Sequence, residues 1–324
     1  MIEKEQKIQV LELLYRNSSV KLKDMNPKIG LSRQTISKIK QDLWNRNVIE
    51  SPALVLNPYV SEIQTFFMEI KTNPSEPRIL QEVKKTSEIE TIDGILGDYS
   101  LIIRLDVRNK KHFSNILDGI DKNIALSKFQ SYRIIETIDT YKVGGFIPGR
   151  SLDSTKITEK RWDLIQMLKK NYNLSKWPER IENEFFTSTE KEHIKNLNLS
   201  RELLKMENEG IVLAYSIKLR KPLSDYSTKF YIRIKPKEIS EYSDLLVKLS
   251  RNPNIIDLFR TGEDFGIMAV VRTSGLEGYK NFIYNLYEKN NIVDTHTTVV
   301  IDEQIASIFP PTQKIAEKLN QRNT

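Results

Sequence analysis

The sequence predicts an α+β protein in which a winged helix-turn-helix and a ferredoxin-like domain, of element order βαββαβ, occur twice in tandem. Two observations predict this class. Short segments of the first half recur in the second half in the same order and at nearly constant spacing. In each half, a helical stretch also precedes segments whose apolar and polar residues alternate as in half-buried strands.

Three pairs of matching segments define the repeat. The pairs are 66–71 (FFMEIK) with 230–235 (FYIRIK), 97–102 (GDYSLI) with 262–267 (GEDFGI), and 131–136 (SYRIIE) with 297–302 (TTVVID). Counted at Phe66, Asp98 and Ser131, the offsets to the second copy are 164, 166 and 166 residues. Colinear matches of this kind predict two copies of one architecture.

Both copies have the same predicted order of strands and helices. The first copy is expected to have strands near 64–71, 90–95, 100–107 and 129–141, and helices over 79–87 and 110–120. The second is expected to have strands near 228–235, 254–260, 266–272 and 294–302, and helices over 238–250 and 276–289. This order is the ferredoxin-like arrangement, an antiparallel sheet covered by helices on one face.

The first helical stretch has the features of a helix-turn-helix. Gly30 suits the tight turn between two helices, and Ser32 is a suitable N-cap for the helix that follows. Within that helix, Ile36, Ile39 and Leu43 recur at the spacing of a buried face. Residues 47–56 predict a two-stranded wing. Pro27 is expected to shorten or distort the supporting helix before the turn.

The corresponding stretch of the second half is more divergent. Apolar residues at helical spacing mark its first and last helices: Trp162, Ile165 and Leu168, then Leu199, Leu203 and Met206. It has no clear Gly-Leu-Ser turn. The predicted domains are 1–57 and 58–143, a linker at 144–156, then 157–221 and 222–308, and a tail at 309–324.

Composition excludes several classes of protein. The 324 residues include 50 Lys plus Arg, 43 Asp plus Glu and no Cys, for a net charge of +7. Disulfide scaffolds, thiolate metal sites and thiol nucleophiles are therefore excluded. His112, His193 and His296 have no partner at metal-ligand spacing, so we expect neither a metal nor a cofactor. The absence of a long apolar run and of a signal-like start predicts a cytoplasmic protein without a membrane partner.

Taken together, these residues resemble the Lrp/AsnC family of bacterial and archaeal regulators, as if two members were fused head to tail. The resemblance rests on Gly30-Leu31-Ser32, on the exit Asn47-Val48-Ile49 and on the Gly97-Asp98-Tyr99 turn. It covers residues 1–143 well and 157–305 more loosely. It implies a transcription regulator that binds double-stranded DNA and pairs through its ferredoxin-like domains. Departures are Asn26 before the turn, where the family favours Ala, and the additional Glu263.

Charge assigns DNA binding to the first helix-turn-helix. Recognition helices place cationic and short polar side chains against phosphates and base edges. Residues 31–46 carry a net charge of +3, whereas residues 188–209 carry −1, which suits a phosphate-lined groove poorly. The predicted DNA-binding residues are Ser32, Arg33, Gln34, Thr35, Ser37, Lys38 and Lys40. The alternative is that these residues form an ordinary solvated helix face.

The Gly-Asp turns are candidate effector-binding segments. The resemblance implies a pocket near them that takes a small molecule such as an amino acid. The candidate residues are Gly97, Asp98, Tyr99, Gly262, Asp264 and Phe265. Turn geometry alone would also explain both Gly-Asp pairs.

Three interpretations of the whole chain remain open at this point. The first is a non-enzymatic transcription regulator that acts as a homodimer or larger assembly, since one reading head per chain requires two chains on a palindromic site. The second is an adaptor that binds no DNA. The third is an enzyme similar to sirohaem decarboxylases, which share a duplicated architecture. The absence of a His-rich motif in the strands after the Gly-Asp turns counts against the third.

Overall fold

The computed structural model describes residues 4–61, 63–73, 77–149, 157–170, 199–220 and 227–322. The chain divides into two compact units, and each unit takes one segment from each half. One unit, here the helical unit, comprises residues 1–61 and 149–221. The other, here the sheet unit, comprises residues 62–148 and 222–324.

The described elements follow the predicted order closely. Those of the first half are α1 (Lys4–Arg16), α2 (Leu22–Ile29), α3 (Arg33–Asn45), β1 (Ile49–Leu56), α4 (Pro58–Ser61), β2 (Gln64–Lys71), α5 (Pro77–Val83), β3 (Ile89–Ile95), β4 (Leu101–Val107), α6 (Lys110–Ile124) and β5 (Ser131–Lys142). Those of the second half are α7 (Glu159–Lys170), α8 (Leu199–Asn208), β6 (Val212–Leu219), β7 (Thr228–Pro236), a 3-10 turn (Ile239–Glu241), α9 (Tyr242–Ser250), β8 (Ile255–Thr261), β9 (Ile267–Thr273), α10 (Leu276–Lys289), β10 (Ile292–Glu303) and α11 (Gln313–Arg322).

The predicted two-stranded wing is wrong. The first module contributes the single strand β1, which pairs antiparallel with β6 of the second module, from Ile49 opposite Leu219 to Leu56 opposite Val212. Residues 47–56 are too few for a hairpin of this length, so β1 satisfies its backbone groups with the matching strand of the other half. The two modules therefore share one two-stranded ribbon.

The ribbon has an internal two-fold relationship. Asn57 N donates to Ile211 O at 2.8 Å, and Arg220 N donates to Val48 O at 3.1 Å. These two hydrogen bonds exchange when each residue of the first half is replaced by the residue 163 positions later. In addition, α1 packs on β6 and α7 packs on β1, so each first helix contacts the other module's strand.

Pro27 lies inside α2 without ending it. The helix continues to Ile29, and Gly30 then adopts the left-handed conformation with φ 75°. The expected shortening is limited because the helix needs only eight residues before this cap.

In the sheet unit, both halves have the predicted βαββαβ order. The strands form one closed eight-stranded sheet in the order β10-β3-β4-β2-β5-β8-β9-β7. Pairings of β5 with β8 and of β10 with β3 join the two halves along both edges. An edge strand left open is a liability for a sheet, and closure removes both edges. The two ferredoxin-like domains thus pair within the chain.

Sequence similarity misaligned the last strand of the repeat. Met68 lies opposite Ile134, and its counterpart Ile232 lies opposite Thr297, which gives an offset of 163 residues rather than 166. A shift by an odd number of residues exchanges the two faces of a strand. Arg133 therefore corresponds to His296, and both point to the inside of the closed sheet.

Three hydrophobic clusters form the core of the sheet unit. Two lie between the strands and helices, one in each half. The third lies inside the closed sheet and combines both halves, with the Phe67 ring edge-on to Tyr231 at 6.1 Å and to Phe259 at 5.2 Å between centroids. The inward strand positions also carry buried charged residues: Glu69, Asp93, Arg104, Lys229, Arg233, Asp257 and Arg272.

Candidate functional site

The turn before α3 is fixed by local hydrogen bonds. Gly30 N donates to Asn26 O at 2.9 Å, and Asn26 Nδ2 donates to Leu31 O at 2.6 Å. The Asn at this position, which departs from the family's small residue, is thus part of the turn. Two backbone carbonyls near the end of α2 find donors in this arrangement.

Ser32 caps α3 as its position in the sequence predicts. Its Oγ accepts a hydrogen bond from Thr35 N at 3.1 Å and lies 2.9 Å from Thr35 Oγ1. The side chain satisfies one of the free N–H groups of the first turn. The helix buries Ile36, Ile39 and Leu43 as predicted, so its other faces are fixed.

The predicted DNA-binding residues occupy one end and one face of α3. Among them, Ser32, Arg33, Gln34, Ser37 and Lys38 are exposed, whereas Thr35 and Lys40 are half-buried. Thr35 takes part in the cap, and burial lowers the pKa of Lys40. These two residues are therefore less available for contacts than the other five.

The acidic residue of α3 is neutralised within the module. Asp42 Oδ2 lies 2.7 Å from Lys7 Nζ, and Asp42 Oδ1 lies 2.7 Å from Arg46 Nε. The hydrogen bond from Lys7 lowers the pKa of Asp42. Arg33 and Lys38 make no ion pair within the described part of the chain. The exposed face of α3 is consequently cationic.

The matching helix of the second module is organised differently. Arg161 of α7 lies 2.7 Å from Glu202 and 2.5 Å from Glu209, and Tyr215 donates to Glu207 at 2.5 Å. Its acids thus stabilise contacts inside the module. The predicted positions Lys191, His193 and Lys195, with the middle of this module, lie outside the described residues, as do linker residues 150–156.

Corresponding turns fix the alignment of α3 and α8. Asn47 and Gly210, 163 residues apart, both have positive φ after their helices. Val48 N donates to Leu43 O, and Ile211 N donates to Met206 O in the same way. The counterpart of Lys38 is therefore Arg201, which is also exposed.

The two Gly-Asp turns meet at one cavity of the sheet unit. Its volume is about 410 Å³, and its lining includes Gly97, Asp98 and Tyr99 from one half with Asp264 and Phe265 from the other. Gly262 begins the second turn and does not line the cavity. Gly266, with φ 67°, packs so closely that an added Cβ would lie 2.5 Å from the Tyr242 ring.

Four charged residues that sequence reasoning missed form the floor of this cavity. Arg133 Nε donates to Glu69 at 2.9 Å, and the guanidinium of Arg233 pairs with the other Glu69 oxygen. Glu263 lies 3.3 Å from Arg233 Nε and 3.8 Å from Arg133 Nε. The four side chains alternate in charge and join both halves of the chain.

Further contacts orient the rim of the cavity. The Arg133 guanidinium lies 5.6 Å from the centre of the Tyr99 ring. Phe265 meets His296 edge-on at 6.3 Å. Asp264 accepts from Lys235 at 2.8 Å, which raises the pKa of Lys235. A charged residue at an inward position of an otherwise apolar strand, such as Glu69 in FFMEIK, was the sequence signal for this network.

Other predicted features have ordinary structural roles. His112 lies 3.3 Å from Glu88 and accepts from Arg108 N. Within the described ranges, no three His, Cys, Asp or Glu side chains are arranged to hold a metal ion. No helix in those ranges is long and apolar enough to cross a membrane.

Comparison with known proteins relates this geometry to one family of domains. Residues 65–143, which form β2 to β5, match the family described as "Lrp/AsnC ligand binding domain". An uncharacterized HTH-type transcriptional regulator of Pyrococcus horikoshii is 24% identical over 141 residues, which are 42% of this chain and 91% of that protein. The HTH-type transcriptional regulator FL11 of Pyrococcus furiosus is 24% identical over 97 residues, which are 30% of this chain and 64% of that protein.

One similar solved structure spans both halves. The crystal structure of the siroheme decarboxylase NirDL superimposes with a TM-score of 0.57, over 98% of this chain and 99% of that one, at 11% sequence identity. At this identity the likeness concerns the fold. The βαββαβ domain at 65–143 carries the family match. Through that domain, the chain belongs to the Lrp/AsnC family.

Proposed function

We propose that this chain is a DNA-binding transcription regulator in which only the first helix-turn-helix reads DNA. The exposed, unpaired cations of α3 are the observation that carries the proposal. Arg33 and Lys38 stand on a capped helix whose one acid is neutralised by Lys7 and Arg46. Such a face suits phosphates and base edges in a major groove.

The second module serves as a structural partner in this proposal. Its helix α8 contains Glu202, Glu207 and Glu209, which are engaged by Arg161 and Tyr215. Presenting them to a phosphate-lined groove would cost electrostatic energy. The shared ribbon of β1 and β6 supports the same role, because the second module completes the strand pairing of the first.

The sheet unit acts as a pseudo-dimer with an effector cavity between its halves. In support, both Gly-Asp turns line one cavity together with aromatic and charged side chains. Since each chain carries one reading head, a palindromic DNA site requires two chains, and the active form is a homodimer or larger.

Binding to the gene's own upstream DNA across a salt series tests the proposal. We expect sequence-selective binding whose logarithmic affinity falls linearly with the logarithm of salt concentration, with a slope of about −0.9 per phosphate contacted. Weak binding that is indifferent to sequence would contradict it. That result would favour the adaptor interpretation, in which α3 contacts a protein instead.

The siroheme decarboxylase likeness makes an enzyme the second candidate. The charges of the cavity count against a tetrapyrrole with many carboxylates. Both arginines of the cavity, Arg133 and Arg233, are already paired with Glu69 and Glu263. Asp98 and Asp264 add further negative charge to the lining. Mixing the protein with sirohaem discriminates between the two: a shifted absorption band would favour the enzyme, and an unchanged spectrum the regulator.

A further inference from the structure

The effector cavity is asymmetric although it lies between two copies of one architecture. The strand registers make Glu69 the counterpart of Arg233, and Arg133 the counterpart of His296. An acid and an arginine in one half thus correspond to an arginine and a histidine in the other. A cavity built this way offers one composite site per chain instead of two equivalent sites.

The charges within the cavity are unevenly satisfied. Arg133 and Arg233 are held between Glu69 and Glu263, and Asp264 is held by Lys235. Asp98 lines the same cavity, is exposed, and has no ion-pair partner among the residues that the structure describes. The lining therefore carries more negative than positive charge, with the excess at Asp98.

A buried donor also lacks a partner in this cavity. Arg233 is 6% exposed, and its Nε makes no hydrogen bond although Glu263 lies 3.3 Å away. Buried donors are normally hydrogen-bonded, so an unmatched one at the wall of a cavity indicates an acceptor from a ligand. This observation is independent of the acidic excess.

Aromatic rings complete the chemistry of the rim. Tyr99 already has the Arg133 guanidinium near its face, at 5.6 Å from the ring centre. Phe265 lines the opposite turn. Aromatic faces next to carboxylates attract ammonium and guanidinium groups and repel anions.

We infer that the cavity binds one organic cation per chain, with an ammonium or guanidinium group at Asp98 and an acceptor oxygen directed at Arg233 Nε. This inference deepens the proposed function, because it names the class of effector for the cavity between the two turns. Its failure is distinguishable from failure of the proposed function, since DNA binding by the ligand-free chain is measured separately.

Calorimetric titration of the full chain with three matched probes tests the inference. L-Arginine carries both required groups, agmatine has the cation without the carboxylate, and L-citrulline replaces the guanidinium by a neutral group of similar shape. We expect L-arginine to bind with one site per chain and about 10- to 100-fold more tightly than L-citrulline. Agmatine should fall between them.

Two variants locate the site. Asp98→Asn should weaken L-arginine binding at least about tenfold, the effect of losing one charge-assisted hydrogen bond. Asp118→Asn, at an exposed position of α6 outside the cavity, should leave it unchanged. Equal binding of L-citrulline and L-arginine, two sites per chain, or no binding of either cation at millimolar concentration would overturn the inference.

Discussion

Glu69 and Arg233 occupy matching positions of the two halves and form an ion pair with each other inside the closed sheet. In a symmetric homodimer, matching positions hold the same residue, so like charges would face each other there. Two other buried pairs, Asp93 with Lys229 and Arg104 with Asp257, also join the first half to the second. Divergence of the halves thus permits charge complementarity that a homodimer could not have.

Removing one member of the Glu69–Arg233 pair should be more costly than removing both. Arg233→Met leaves a buried carboxylate short of a partner, for which about 3 kcal/mol of unfolding free energy is expected. Glu69→Met/Arg233→Met should cost less than the sum of the single variants, because Arg133 and Glu263 remain as a pair. Urea denaturation measures these values. Lys280→Met, which removes an exposed ion pair, is the control and should stay within about 0.5 kcal/mol.

Additive losses in that cycle would show that the two residues do not interact in solution. The same result would remove the electrostatic reason for pairing a first half with a second half.

Lys142 should make stability increase with pH above neutrality. Burial lowers the pKa of this residue, which is 1% exposed, to about 7 from its ordinary value of 10.5. Between these values the unfolded chain binds a proton that the folded chain does not, so the unfolding free energy rises by up to about 1.4 kcal/mol per pH unit. Lys142→Met should flatten this rise between pH 7 and 9 and stabilise the protein at pH 6.

Denaturation of both proteins across this pH range provides the comparison. Lys122→Met, at an exposed position of α6, should keep the wild-type profile. An unchanged slope in Lys142→Met would mean that Lys142 keeps its proton in the folded state.

Two glycine substitutions should change stability in opposite directions. Gly266→Ala places a Cβ 2.5 Å from the Tyr242 ring at a positive φ, so a loss of about 2–4 kcal/mol is expected. Gly119→Ala introduces a better helix former in α6 with no atom within 4 Å, and should stabilise by about 0.5–1 kcal/mol. A neutral Gly266→Ala, measured by thermal or urea unfolding, would place Tyr242 elsewhere in solution.

Ser32 separates helix capping from DNA binding. Ser32→Ala removes the acceptor for Thr35 N and should cost about 1 kcal/mol of stability. Ser32→Asp keeps an acceptor but adds a negative charge at the end of the helix proposed to face DNA. Its stability should therefore exceed that of Ser32→Ala, whereas its DNA affinity should be lower. The same order in both measurements would argue against DNA contact at this position.

The sequence predicted the elements of both halves well, because strong alternation and helical periodicity identify them locally. It predicted Ser32 as a cap and Ile36, Ile39 and Leu43 as a buried face for the same reason. The pairing of β1 with β6 was not predictable in this way, since hydrogen bonds between distant strands leave no local pattern. The wing was therefore assigned to the wrong partner.

The cavity was predicted only at its rim. The Gly-Asp turns are recognisable as short motifs, and Asp98 and Asp264 do line one cavity. The floor formed by Glu69 and Arg233 depends on the pairing of two sheets and on the register of each last strand. Similarity of β-branched residues misplaced that register by three residues, which hid the correspondence of Arg133 with His296.

The most direct test of an asymmetric DNA reader compares Lys38→Glu with Arg201→Glu, charge reversals at matching exposed positions of α3 and α8. Affinity for the upstream DNA is measured across a salt series for both variants and the wild type. Lys38→Glu should weaken binding and make the salt slope shallower by about one phosphate contact, while Arg201→Glu leaves both unchanged. Equal losses from the two variants would contradict a single reading head.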